Sequence, residues 1–295
     1  MALGLGKDRI LLSKKLAACD YCPRRCGADR TAGETGFCGV GRYAVVSSAY
    51  PHFGEERVLV GAGGSGAIFL AGCNLGCSFC QNRDISHGQG EKLGTGKEIT
   101  EEELAKLMIG LQAQGCSNVN LVTPSHVALQ AAGAIRIAVK SGLEIPIVYN
   151  TSAYDSVDTL RSLEGLIDIY MPDFKFWSEQ ASRTFMNAED YPRTARLAIE
   201  EMHRQVGDLV TDQNDIAVRG LLVRHLVMPG MKADAERIMG YLSGLSKDTF
   251  INVMSQYRPF GPARRHPDIG RRPEDEEVAA VKRAARDAGL HRFAD

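Results

Sequence analysis

The sequence predicts an α/β protein, a partial (β/α)6 TIM barrel with a small N-terminal Cys-rich metal-binding module. After residue 66, short apolar runs alternate with helical patterns, the signature of βαβ units feeding a parallel sheet. Six such runs can be read, against the eight that close a TIM barrel, so the sheet is expected to stay open. Seven of the eight cysteines stand before residue 81, gathered in two groups.

Taken in order, residues 1–65 are glycine-rich, show little helical periodicity and form the expected N-terminal module. The run Gly61-Ala-Gly-Gly-Ser-Gly66 lacks the Lys and the strand–helix order of a phosphate-binding loop and reads as a flexible approach to the cysteines at 73–80. The barrel is assigned to residues 66–260. Its strands are Ala67 to Ala71, Val119 to Val122, Ile147 to Tyr149, Ile167 to Tyr170, Leu221 to Leu226 and Ile251 to Met254. Between them the helical patterns run from Glu101 to Gln114, opened by a Thr100-Glu-Glu-Glu capping signal, then Val127 to Ser141, Ser156 to Leu163, and one long stretch from Ser178 to Val206. Residues 261–295 complete the chain. Ser255 to Arg272 is a proline- and arginine-rich loop, and Pro273-Glu-Asp-Glu-Glu opens an amphipathic helix to about Ala288.

Composition narrows the function. With 295 residues, 44% of them hydrophobic, the chain can bury a full core. A net charge of −1 and a pI near 6.7 argue against nucleic acid or an anionic membrane as partner. No run of 18 apolar residues occurs, and Met1 to Leu12 carries Lys7, Asp8 and Arg9 where a signal peptide would be apolar, so a cytoplasmic location is expected. Thiols are kept reduced there, which points the cysteines to metals rather than disulfides. Cys116, just before an apolar strand, is read as core.

The run Cys73-Asn-Leu-Gly-Cys77-Ser-Phe-Cys80 offers three thiolates at C-x3-C-x2-C spacing. Iron–sulfur cubes are usually held by four, so three leave one iron open to a substrate or cofactor, as catalytic zinc sites keep an open position. Three buried cysteines or a zinc knuckle is the plainer alternative. Cys19-x2-Cys22-Pro-Arg-Arg-Cys26 and then Cys38 supply four more thiolates, a closed set suited to a structural zinc or an auxiliary [4Fe–4S] cluster; the spacing does not choose between them.

Polar residues at the expected C-terminal ends of the strands are the other candidates. They are Thr123 and Ser125, Asn150 and Ser152, Asp173 and Lys175, and Arg224 or His225. An ordinary helix N-cap would also account for Ser125, and a surface ion pair for Asp173 with Lys175. Strand alternation lets only one of Arg224 and His225 face the mouth, and His225 is preferred. Arg258, Arg264, Arg265, Arg271 and Arg272 would suit a carboxylate, a phosphate or an acidic peptide, or would simply be solvated. His52, Glu55 and Glu56 could form an acid/base cluster between the two cysteine groups.

The cysteine spacing at 73–80 resembles that of the radical S-adenosylmethionine (radical SAM) enzymes. From residue 19 to about 290, the CPRRC-G, Gly36-Phe37-Cys38-Gly39, His52-Phe-Gly-Glu-Glu56, Gly72-Cys73-Asn74-Leu75 and Cys80-Gln81-Asn82 runs resemble the PflX-type group, related to pyruvate formate-lyase activating enzyme. The resemblance implies the radical SAM fold, with a [4Fe–4S] cluster on Cys73, Cys77 and Cys80 whose open iron is chelated by SAM. It further implies reductive cleavage of SAM to methionine and a 5′-deoxyadenosyl radical that abstracts hydrogen from a substrate. Phe79 would lie against the adenine, and Thr123 or Ser125 would hold the amino group, although this segment departs from the usual Gly-Gly-Glu form. The Tyr149–Ser152 segment would touch the ribose. Asn150, Thr151, the Met171 carbonyl and Asp173 would hold a monovalent cation, with Asn150 standing where the activases carry Asp. Lys175 and His225 would reach into the site, with Arg224 as a SAM contact. The implied partners are a flavodoxin- or ferredoxin-like electron donor and a substrate that is a glycyl-radical protein, a peptide or a small molecule. A two-cluster electron-transfer protein is the alternative of another class, and transfer of the aminocarboxypropyl group of SAM is a third.

Overall fold

The structure is a computed structural model that describes residues 14–86 and 96–294; the stretch Met1 to Leu12, read above for a leader, lies outside them. Ten strands are described: β1 (Ala44–His52), β2 (Ser65–Leu70), β3 (Lys97–Ile99), β4 (Val119–Val122), β5 (Ile147–Thr151), β6 (Ile169–Pro172), β7 (Val210–Thr211), β8 (Ala217–Leu226), β9 (Phe250–Met254) and β10 (Arg292–Phe293). They form one sheet in the order β10-β9-β8-β6-β5-β4-β2-β1-β3, with β7 paired to β8. The six strands expected from the sequence are β2, β4, β5, β6, β8 and β9, and each pairs in parallel with the next. The sheet does not close on itself, and the architecture is a partial barrel.

Two further strands precede β4. β1 pairs antiparallel with β2 over Val46 to His52, and β3 pairs antiparallel with β1, so residues 44–52 extend the barrel sheet. Glycines at 61–66 do not form a flexible approach. A Cβ on Gly63 would stand 1.8 Å from the Gly115 carbonyl oxygen, so this segment is pressed against the turn that feeds β4. Cys116 in that turn is buried in the main core, as its sequence context implies. The expected helix over 178–206 is two helices, Glu179–Met186 and Tyr191–Val206. Asn187 ends the first in the left-handed conformation, φ 54°, which Asn tolerates better than most residues, and Pro192 stands in the first turn of the second, where a missing N–H costs nothing.

Alternation along the parallel strands sorts their residues into two faces. Val148, Ile169, Met171 and Leu222 pack together with Leu59, Leu209 and Ala217 inside the barrel, each fully buried aliphatic side chain contributing about 1.5–3 kcal/mol. Two residues further along the same faces come Asn150, Asp173 and Arg224, so the interior turns from apolar to polar at the strand ends. Tyr149, Tyr170 and Val223, on the opposite faces, pack in the larger core under the helices. Among the described residues no helix is long and apolar enough to cross a membrane.

One close approach joins the Cys-rich segment to the barrel. Gly72 follows β2 at φ +86°, and a Cβ there would stand 2.6 Å from both the Cys38 carbonyl oxygen and Val40. Gly72→Ala is therefore expected to lower stability by about 2–4 kcal/mol through backbone strain and overpacking. Urea unfolding should show a lower midpoint at unchanged slope; an unchanged midpoint would mean that the two segments do not need this contact.

Candidate active site

The three-cysteine loop runs from Gly72, at the end of β2, into the mouth of the barrel, where Cys73 and Cys77 are buried and Cys80 is half-buried. Its backbone is held from several sides. Gly76 and Ser78 donate to the carbonyls of Met186 and Phe185, the last residues of the 179–186 helix, at 3.0 and 2.8 Å. Arg24 donates from Nε to the Asn74 carbonyl and from Nη1 to that of Asn187, both at 2.7 Å, while its guanidinium lies 4.0 Å over the Phe37 ring. Asn74 donates to the Tyr154 carbonyl at 2.7 Å, and Ala263, in the arginine-rich loop, donates to the Ser78 carbonyl at 3.3 Å.

All three thiols open on one cavity of about 280 Å³, lined also by Phe79, Thr123, Asn150, Thr151, Ser152, Asp173, Lys175 and Arg224. Burial pushes the Cys73 thiol up to about 12 and raises Cys77 as well, so both are protonated until a metal displaces the proton. Among the described residues no three His, Cys, Asp or Glu side chains gather tightly enough for a single ion. An iron–sulfur cube is larger than an ion and takes thiolates that stand apart. Three cysteines around one open cavity would suit that group, and the polar strand ends form the rest of the cavity wall.

Those strand ends form one charged network. Arg224 donates from Nε to Asp173 Oδ1 at 2.7 Å, from Nη2 to Asn150 Oδ1 at 2.9 Å and from Nη1 to Glu55 Oε2 at 3.3 Å. Lys175 Nζ donates to the other Asp173 oxygen at 2.6 Å. Parallel register brings this about, since Asp173 bridges Arg224 and Arg224 pairs with Asn252 across β8 and β9. Asn252 in turn donates to Glu56 at 2.8 Å, linking β9 to the segment after β1 across the open side of the sheet. Burial opposes charge on Asp173, but Arg224 and Lys175 outweigh it and hold the carboxyl down at about 2. For Lys175, burial works the other way and Asp173 prevails, so the ammonium is held above its ordinary value.

Several expectations change here. Arg224, not His225, faces the cavity, because it shares the inner face of β8 with Leu222. His225 is buried on the outer face, Nδ1 bonded to the Phe174 carbonyl at 2.8 Å, and burial lowers its pKa. Ser125 neither caps a helix with its side chain nor lines the cavity; it is buried against Thr151 Oγ1 at 2.9 Å, and Thr151 donates to Asp155 at 2.5 Å. Asp173 and Lys175 do pair, but inside the mouth rather than at the surface, with 14% and 12% of their side chains exposed. Thr123 lines the cavity with a left-handed backbone, φ 62°, a strained state of the kind found at functional sites. Glu55 and Glu56 join the Arg224 network, whereas His52 packs outside with Tyr50 and Phe69. Asn252 went unread in the sequence; its only signal is an amide where β9 should face an apolar interior.

Behind the loop, Cys19, Cys22 and Cys38 are buried and Cys26 is exposed. Buried among them is Arg30, 1% exposed, which donates to the Tyr21 hydroxyl at 2.6 Å, the His126 carbonyl at 3.0 Å and the Cys38 sulfur at 3.1 Å. His126 Nε2 meets the Ala71 carbonyl at 2.8 Å, and since a carbonyl only accepts, Nε2 carries the proton. This chain of contacts ends one residue before Gly72.

A parallel partial barrel with three thiols opening at the C-terminal ends of its strands defines a class of proteins, and the sequence comparisons name it. Residues 67–216 match the Radical SAM superfamily, and the chain belongs to that superfamily. It is 33% identical over 265 residues to an uncharacterized protein of Methanocaldococcus jannaschii, covering 88% of this chain and 72% of that one. Among solved structures, HydG, a maturase of the [FeFe]-hydrogenase, is similar with a TM-score of 0.54 and 13% identity, over 77% of this chain and half of HydG's length, 50%. A domain of pyruvate-formate lyase-activating enzyme from Bacteroides vulgatus aligns with a TM-score of 0.44 and 14% identity, over 60% of this chain and 98% of that domain. At these identities the structural likeness concerns the fold alone.

Glu55 gives the site a measurable pH signature. Burial pushes its carboxyl up to about 7 from an ordinary 4.5, with Arg224 offsetting part of the shift and Glu56 adding to it. Between those values the folded state binds more protons than the unfolded one, so stability falls as pH rises through that window. Glu55→Gln, which does not titrate, is expected to flatten the slope by on the order of 1–3 kcal/mol between pH 5 and 8 in chemical denaturation. Parallel slopes for the two proteins would contradict the burial of this carboxyl.

Proposed function

We propose that this radical SAM superfamily enzyme abstracts hydrogen from its substrate at the mouth of the barrel, with Cys73, Cys77 and Cys80 holding a [4Fe–4S] cluster. The observation that carries the reading is that three thiols and, among the described residues, no fourth open on a cavity whose other wall is the polar ends of β5, β6 and β8. When bound and reduced, the cluster supplies the electron that splits SAM into methionine and a 5′-deoxyadenosyl radical. The chain's own residues bind and orient. Phe79, set edge-on between Phe176 and Tyr257 at 5.9 and 6.1 Å, offers an apolar wall for the adenine. Thr123 and Ser152 offer hydroxyls to the polar edge of SAM, and Arg224 and Lys175 offer cations to its carboxylate.

The arginine-rich loop favours an anionic substrate. Arg258, Arg264, Arg265, Arg271 and Arg272 are exposed, and the loop touches Ser78 of the cluster loop through Ala263. Arg271 is taken up by Glu277 at 2.7 and 2.9 Å, which leaves the other four as candidates to meet an acidic peptide, a glycyl-radical protein or a carboxylate-bearing small molecule. A flavodoxin- or ferredoxin-like protein in the cytoplasm is proposed as the electron donor.

A second metal at Cys19, Cys22, Cys26 and Cys38 is part of the proposal. It is supported by Arg30, a buried cation whose Nε has no partner among the described residues and whose other contacts are a hydroxyl, a carbonyl and a thiol. A buried charge needs compensation, and metal-bound thiolates beside it would supply the negative charge.

The test is anaerobic turnover of the reconstituted protein with strong reductant and SAM. Expected is 5′-deoxyadenosine from the wild type and none from Cys77→Ala. Methylthioadenosine in its place would redirect the assignment to aminocarboxypropyl transfer.

A further inference from the structure

The resemblance placed a monovalent cation among Asn150, Thr151, the Met171 carbonyl and Asp173, and in the structure the side-chain oxygens of Asn150, Thr151 and Asp173 are already engaged, those of Asn150 and Asp173 by cationic side chains. Asn150 Oδ1 accepts from Arg224 Nη2 at 2.9 Å, and Asp173 Oδ1 accepts from Arg224 Nε at 2.7 Å. The second Asp173 oxygen accepts from Lys175 at 2.6 Å. Thr151 lines the cavity too, but its hydroxyl is bonded to Asp155 and Ser125. One guanidinium thus spans the two strand-end oxygens that would otherwise converge on an ion, and an alkali ion entering there would meet an immobile positive charge.

We propose that the Arg224 guanidinium stands in for a monovalent cation at this site, giving the SAM carboxylate a fixed positive charge and freeing the enzyme from dependence on alkali metal ions. The inference rests on the radical SAM reading given above.

Three features support it. A guanidinium has five N–H donors, of which three are engaged with Asp173, Asn150 and Glu55, so donors remain for a carboxylate brought into the cavity that Arg224 lines. Its position is fixed rather than swinging, because those three partners come from the residue after β6, from β5 and from the segment after β1, with Glu56 a further 3.9 Å contact. The sequence is consistent with the exchange, since Asn150 stands where a carboxylate would be wanted beside a metal cation. An amide oxygen is sufficient for a guanidinium that already has Asp173 as its counter-charge and Glu55 as a further acceptor. Glu55 is accordingly a positioning residue, holding Arg224 from behind.

The experiment measures SAM binding to the cluster-loaded protein by equilibrium dialysis in KCl, NaCl or tetramethylammonium chloride at one ionic strength. The dissociation constant is expected to stay within about twofold across the three salts, since screening is held constant. Arg224→Gln is expected to weaken binding at least about tenfold in every salt, and Arg224→Lys, which keeps a charge but cannot span both oxygens, by less. Wild-type binding that weakens about tenfold or more in tetramethylammonium would overturn the proposal while leaving the radical SAM reading intact, and this comparison needs no variant. Unchanged binding by a folded Arg224→Gln would overturn it too. No SAM binding in any salt by a protein carrying its cluster would overturn both.

Discussion

A guanidinium cannot be buried without partners, and the mouth of this barrel is arranged around that constraint at Arg224. Taking the charge out of water is costly unless opposite charge and hydrogen-bond acceptors surround it. Here Asp173, Asn150 and Glu55 do so from three different elements within 3.3 Å. The register of β5, β6, β8 and β9 follows the same demand, since a slip of one residue would turn Arg224 toward the helices and Val223 or His225 toward the cavity. Asn252 and Glu56 extend the network across the open side of the sheet, where no backbone ladder joins the two edges among the described residues.

The cluster loop depends on the rest of the chain in a complementary way. It has few hydrogen bonds of its own, and its shape comes from Arg24, from the carbonyls ending the 179–186 helix and from the arginine-rich loop. The same helix that sequence patterning ran together with its neighbour must stop at Asn187 for those carbonyls to be free. On the other side, the Cys38 backbone presses on Gly72, and Arg30 reaches His126, which holds the Ala71 carbonyl. A metal bound by the N-terminal thiols would therefore stiffen the root of the loop that carries Cys73, Cys77 and Cys80.

The parallel strands were legible because both of their faces are buried, so they stand out as short, nearly continuous apolar runs. β1 was missed because its apolar start, Ala44-Val45-Val46, gives way to Ser47 and Ser48, and Pro51 interrupts the strand pattern. Cys73, Cys77 and Cys80 declare themselves through spacing alone, which a local sequence preserves. Arg224 and His225 could not be separated that way, since the choice rests on which face of β8 meets Val148 and Ile169, and pairing partners are not written in a single strand. Glu55 joins Arg224 over a separation of 169 residues, and no local pattern records such a contact. Ser125 misled for a related reason, as the residues that engage it lie on the next strand.

The most direct measurement is Mössbauer spectroscopy of protein reconstituted with 57Fe, before and after SAM is added. If three thiols hold the cube and the remaining corner faces the polar strand ends, one iron in four of the catalytic cluster should change its isomer shift when SAM binds, and should do so in a Cys38→Ser variant as well. Irons that all remain unchanged while SAM is bound would mean that the cube is closed by a fourth ligand and that the cavity does not serve the open iron.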